Sequence, residues 1–230
     1  MPLYYQNSSS MLLMLIGFII SLASQLYIKA VFKKYSEVGN KNNLSGLEVA
    51  RRILDRNNLG EINIFQVRGS LTDHYNPTNK TLGLSESVYG LRSIAAVAVA
   101  AHECGHAIQH EKGYIPLKIR SALVPVVQIS SSSSWYLILI GMIMSIPKFV
   151  DIGILLFVAT LVFQIVTLPV EFDASHRAIV KLEEYGLIDQ GEVNSCRSVL
   201  IAAALTYVAA VAVSMLNLLR LLGLRNRDER

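Results

Sequence analysis

IGILLFVATLVFQIVTLPV, Ile152–Val170, is 19 residues without a charge, and Glu171 follows it directly. A helix needs roughly 20 apolar residues to cross a hydrocarbon layer about 30 Å thick, so this stretch reads as a membrane span with a carboxylate at its end. The rest of the chain agrees. Of its 230 residues 52% are hydrophobic and the mean hydropathy is +0.42, too apolar for one or two ordinary soluble domains. Three more stretches have the length of a span: about Met11–Phe32, Ala122–Ile146 and Val199–Leu222. The first contains SLAS after an apolar run, as a secretory signal would. Against that reading, no positive charge precedes it and its apolar length continues through Leu26, Tyr27 and Ile28.

The expected fold is therefore a mainly α membrane protein with about four transmembrane helices and a small α+β domain between the first two. Residues 1–32 form the first span, 33–121 the small domain, 122–170 two spans, 171–198 a further helix, and 199–230 the last span with a basic tail. Orientation follows the lysines and arginines of short flanks, which stay cytoplasmic. Lys29, Lys33, Lys34, Lys112, Lys118, Arg120, Arg177 and Lys181 all fall on one side, against Lys148 on the other, which faces the small domain to the cytoplasm. The tail runs the other way: Arg220, Arg225, Arg227 and Arg230 lie outside in a four-span count. Either the last span is half-embedded or the charge rule is overridden there. The net charge of +4 is mostly juxtamembrane and suits anionic lipid headgroups. With no basic domain interleaved with aromatics, a nucleic-acid partner is not expected. Cys104 and Cys196 lack metal-ligand spacing and are expected to be reduced.

Within the small domain, Ser45–Gly60 reads as an amphipathic helix, with Leu47, Ala50, Ile53 and Leu54 on one face and Asn58 to Gly60 as the stop. Glu61–Val67 alternates Ile62, Ile64 and Gln66 against Asn63, Phe65 and Val67, a strand pattern. LTDHY and KTLGLS flank the turn Asn76–Asn79, giving a hairpin at a sheet edge. Ser93 can cap, and Gly113 can end, a helix over Ile94–Glu111. The first half of that helix is apolar all round but too short to span a bilayer, so it belongs in the domain's centre.

The second half of that helix carries AAHECGHAIQH, residues 100–110. His102 and His106 are one turn apart on one face, so both imidazoles can reach a single ion at about 2.0–2.1 Å. Glu103, one position round, is placed to take a proton from an activated water and pass it to a leaving amine. The ion chemistry this pattern serves is zinc hydrolysis, with no covalent intermediate. Cys104 lies about 200° round the helix from His102 and faces the core. His110 continues the i+4 series but would be a third ligand only if the helix bent, and the position used for a third histidine in metzincins is Lys112. The missing third ligand is best supplied by Glu171, because a carboxylate beside a span is costly to desolvate without a partner. The plainer alternative is that Glu171 opens a helix ended by Gly186, its charge suiting the helix dipole.

AAHECGHAIQH followed about 65 residues later by LPVEFDASHRA, with the hairpin LTDHYNPTNKTLGLS between spans, resembles the bacterial YugP-like family of membrane-embedded neutral zinc metallopeptidases. The likeness covers most of the chain. More distantly, the order of parts is similar to the HtpX and CAAX prenyl protease group of gluzincins, whose third ligand is a glutamate on a later helix. The resemblance implies a zincin-like domain, one zinc ion per chain, His102, His106 and Glu171 as ligands, and Glu103 as general base. One position departs from the wider gluzincin pattern. Where those enzymes place an aspartate four residues after the ligand glutamate, to hold a ligand histidine, this chain has Ser175, while Asp173 comes two residues after.

Stabilising a tetrahedral oxyanion needs a donor, for which His176, Arg177 and His74 are leads. Each has a plainer role: a surface position on the hairpin for His74, a salt bridge or headgroup contact for Arg177. An edge strand can also bind an extended peptide by main-chain hydrogen bonds, which predicts loose sequence specificity. The serine run in Ile129–Trp135 is read as close helix packing, and Gln164 as an interhelical hydrogen bond. Taken together the expected function is a membrane-integral zinc endopeptidase acting on membrane or membrane-proximal proteins at the cytoplasmic membrane. A non-catalytic zinc-binding scaffold or adaptor is the alternative from another class, and a prenyl-protein protease would need a chamber that four spans of one chain are too few to build. A second copy or a scaffold partner would be the protein contacts of either.

Overall fold

The computed structural model describes the backbone of residues 2–228 and the side chains of 10–223 and 225, so the side chain of Arg227 and all of Arg230 lie outside the described residues. Among the described residues six α-helices and one small sheet follow in order, with a 3-10 turn at Gln190–Glu192 before the last helix: α1 (Pro2–Ser36), α2 (Gly46–Arg56), β1 (Asn63–Val67), β2 (His74–Asn76), β3 (Thr81–Ser85), α3 (Ile94–Glu111), α4 (Ile115–Ile143), α5 (Pro147–Glu184) and α6 (Val193–Asp228). Four stretches are long and apolar enough to cross a membrane: Ser10–Ser36, Ile115–Ile143, Pro147–Glu184 and Gln190–Gly223. These contain the four expected spans, apart from the last three residues of the second, which lie past the end of α4.

The chain divides into two compact units. One comprises Leu26–Lys118 and Pro169–Leu205. Its core is continuous, from Phe32 through Val49, Ile53, Leu54, Leu82, Leu84 and the alanine-rich start of α3 to Leu182, Cys196 and Leu200. Ser45 begins α2 with a capping box: its hydroxyl accepts from the Glu48 amide, and its own amide donates to Glu48 Oε2 at 2.7 Å. Val49, rather than Leu47, joins Ala50, Ile53 and Leu54 on the buried face. Ser93 caps α3 through the Ala96 amide. Residues 94–98 of α3 are buried on every side, because alanine lets neighbouring backbones approach closely.

The sheet has the order β1-β3-β2. β2 and β3 form the expected antiparallel hairpin, with His74 opposite Gly83, and β2 is an edge strand. β1 pairs parallel with β3. In β1 the alternation fails at its end: Gln66 is exposed and Val67 half-buried.

The other unit comprises Met1–Gln25, Ile119–Leu168 and Thr206–Arg230. Ile138, Val150, Ile154 and Leu221 form its small core. The serine run packs as expected: Ser134, buried, donates to the Gly153 carbonyl at 2.9 Å, and a Cβ on Gly153 would lie 2.5 Å from Ile138 Cγ1. Gln164 departs from expectation. Its Oε1 is buried with no partner among the described residues, because Ser21, Gln25 and Ser214 line a cavity beside it rather than closing on it.

α5 changes the reading of Glu171. The helix runs unbroken through Pro169 to Glu184, so Glu171 sits in its interior and does not open a helix of its own. Gly186, at φ +61°, does end the helix as expected.

Candidate metal centre

α3 presents His102 and His106 from successive turns, their rings edge to face with centroids 4.8 Å apart. α5 brings Glu171 against them. The approach is allowed by Gly105, where a Cβ would stand 2.5 Å from the Ala174 carbonyl oxygen. Any side chain there would separate the two helices that carry the site.

Glu171 Oε2 lies 3.2 Å from His102 Nε2 and 3.7 Å from His106 Nε2. The three ligand atoms that these residues offer all fall within 4.8 Å of one another. Glu171 is 3% exposed and His106 9%.

The far nitrogens of both rings are also held. Gln109, fully buried, sits 3.0 Å from His106 Nδ1 through its Oε1. Its amide nitrogen donates to the Val170 carbonyl and to Asp173 Oδ2, both at 2.8 Å. With that nitrogen committed to two acceptors, Oε1 must accept, so His106 Nδ1 carries the proton and its Nε2 lone pair faces Glu171. Ser175 Oγ lies 3.1 Å from His102 Nδ1 and holds the second ring at the corresponding nitrogen.

Two imidazole lone pairs and a carboxylate aimed at one point repel each other unless a cation, proton or metal, lies between them. For a tetrahedral zinc with bonds of about 2.0–2.2 Å, neighbouring ligand atoms stand about 3.3 Å apart, which the distances from Glu171 bracket. Hard oxygen plus two imidazoles is a zinc-type donor set with a position left open. The residues present therefore fit the ion.

Glu103 is 8% exposed on the same helix. Burial is the largest influence on it and pushes its carboxyl above the usual carboxylate range, against the pull of His106 and His102. Cys104 faces away, buried, with its sulfur 3.6 Å from the Ala50 carbonyl oxygen, and burial pushes its thiol up. His110 bonds the Tyr75 hydroxyl at 2.9 Å.

The remaining leads separate. Asp173 does not reach a ligand histidine; it holds Gln109 and pairs with Arg177. Arg177 also lies over the Tyr114 ring, its guanidinium carbon 5.7 Å from the centroid. His74 bonds the Thr72 carbonyl at 3.0 Å and packs over Gly83 and against Phe65. His176, exposed, faces a separate pocket. Gln109 is the residue that the sequence reading missed. Its only signal was its place three residues after His106, on the ligand face of α3.

The chain matches, over residues 10–226, the model of a family described as "Putative neutral zinc metallopeptidase". It belongs to that family. It is also 46% identical over 212 residues to "Putative membrane protease YugP" of Bacillus subtilis (strain 168), covering 91% of this chain and 94% of the relative. The YugP-like resemblance read from the motifs is therefore borne out. No solved structure matches the chain. Family membership implies zinc, and the cluster of half-buried His102 with buried His106 and Glu171 is where the described residues could hold it.

Proposed function

We propose that the protein is a membrane-integral zinc endopeptidase of the gluzincin type, with a zincin-like catalytic unit built from the residues around α3 and the second half of α5. The observation that carries this is the convergence of His102 Nε2, His106 Nε2 and Glu171 Oε2, with Glu103 buried one residue from the first ligand. One zinc per chain is held by His102, His106 and Glu171. Zinc bound there would supply Lewis acidity toward a peptide carbonyl and a water.

The chain's own groups do the rest. Glu103 accepts the proton of the attacking water and returns it to the leaving amine. Its buried setting favours the role, since a base with a raised pKa holds the proton long enough to deliver it. Ser175 and Gln109 keep both rings turned with Nε2 inward. The edge strand β2, to which α3 packs, offers main-chain groups to an extended substrate, which gives positioning with little demand on side chains.

Because α5 is both a span and the carrier of Glu171, the substrates are membrane proteins or segments close to the bilayer. The catalytic unit faces the cytoplasm, on the side of the juxtamembrane lysines and arginines. The test is zinc content together with caseinolysis in detergent. Glu103→Gln is expected to keep its zinc and lose activity by about 10²–10⁴-fold, the usual worth of a general base. A fully active Glu103→Gln protein would end the peptidase reading. A wild type that binds zinc and cuts nothing would leave a structural zinc scaffold.

A further inference from the structure

Next to the triad, α5 and α6 enclose a pocket of about 290 Å³. Ile179, Leu200 and Ala204 make a buried apolar floor. At its rim stand two exposed basic side chains, His176 and Arg197, neither with an ion pair or hydrogen bond to any described residue. Ser175 belongs to the wall, and the same hydroxyl touches His102 Nδ1. On α5 the two faces are adjacent: Glu171 and Ser175 point to the histidines, while Phe172, His176 and Ile179, one position round, line the pocket.

We propose that this pocket selects the substrate. It receives an apolar side chain next to the bond being cut, while Arg197 and His176 engage a carboxylate beside that residue, supplied by an acidic side chain or by the end of the peptide. The proposal rests on the peptidase reading. Three features favour it. One lining residue, Ser175, also touches His102, so an occupant lies one side chain from a histidine of the triad. The volume, at the low end for small-molecule sites, suits one large side chain. An unpaired arginine and an imidazole beside an apolar floor complement an apolar residue with an anion attached, and Arg is the residue suited to a bidentate carboxylate. A lipid phosphate would satisfy Arg197 equally, and retention of phosphatidylglycerol is the readout that separates it from a peptide carboxylate.

The experiment uses the zinc-loaded full chain in detergent and four fluorescein-labelled peptides. All share one large apolar residue, and they differ in ending as a free acid or an amide, or in carrying an internal Glu or Gln beside it. Anisotropy gives affinity and mass spectrometry gives the cut position. The wild type is expected to bind one carboxylate peptide about tenfold more tightly than its neutral twin, the free-acid and Glu arms telling which carboxylate is read. Arg197→Gln, at an exposed position, is expected to abolish that ratio, and Ala204→Phe, which fills the floor, to weaken all four peptides about tenfold. If Ala204→Phe loses zinc, Arg197→Gln decides alone. Equal ratios in wild type and Arg197→Gln overturn the proposal, as does a change confined to retention of phosphatidylglycerol. Carboxylate-dependent binding without cleavage would keep the pocket and remove the peptidase reading; cleavage with unchanged ratios would do the reverse.

Discussion

Ser175 occupies the position where the wider pattern has an aspartate, and a hydroxyl is a weaker partner for an imidazole than a carboxylate. At 3.1 Å from His102 Nδ1 it still fixes the ring. Ser175→Ala is expected to weaken zinc binding by about 10–100-fold, the cost of losing such an outer partner, and Ser175→Asp to preserve it. Competition with a chromophoric chelator measures both. His102, Glu103 and His106 were legible because a helix converts a spacing of four into a shared face. Gln109 was not legible, because its role depends on the Val170 carbonyl and Asp173, which reach it from a helix more than 60 residues away. Asp173 reaches neither histidine of the triad, yet it serves His106 through Gln109. Arg197 carried no sequence signal at all, since an exposed arginine gains meaning only from the pocket beneath it.

At the scale of the element, the site depends on how closely α3 and α5 approach. Gly105→Ala would place a methyl 2.5 Å from the Ala174 carbonyl, a backbone atom that cannot rotate away. Overpacking of this kind costs about 1–3 kcal/mol, so the variant is expected to melt several degrees lower and to hold less zinc at equal free metal. Thermal unfolding in detergent and metal analysis read the two effects; unchanged values for both would mean that the helices do not need this contact. The helices α2 and α3 were legible in detail because Ser45 and Ser93 are local caps. The parallel pairing of β1 with β3 was not, because it depends on contacts across the hairpin rather than on local pattern. Glu171 within α5 was open at the sequence level because Pro169 resembles a break. Inside a long helix one proline removes a single backbone donor, and α5 continues.

At the scale of the whole molecule, the four helices long and apolar enough to cross a membrane followed from hydropathy alone, since an apolar helix satisfies its own backbone groups within the segment. The unpaired Gln164 oxygen could not be foreseen, because a hydrogen bond between helices depends on packing rather than on composition. The candidate metal site ties α3 to α5 across 69 positions of sequence, counting from His102 to Glu171. Metal binding is therefore expected to stabilise the fold, by about 2.7 kcal/mol at free zinc 100 times the dissociation constant. Chelation should lower the melting temperature of the wild type reversibly and leave that of Glu171→Ala unmoved. The central claim is that two imidazoles and one carboxylate hold a single zinc. Zinc K-edge X-ray absorption on the full chain in detergent tests it most directly. The account predicts two imidazole nitrogens and light oxygen ligands at about 2.0–2.2 Å, with an oxygen lost in Glu171→Ala. A sulfur shell at about 2.3 Å, or a spectrum unchanged by Glu171→Ala, would contradict it.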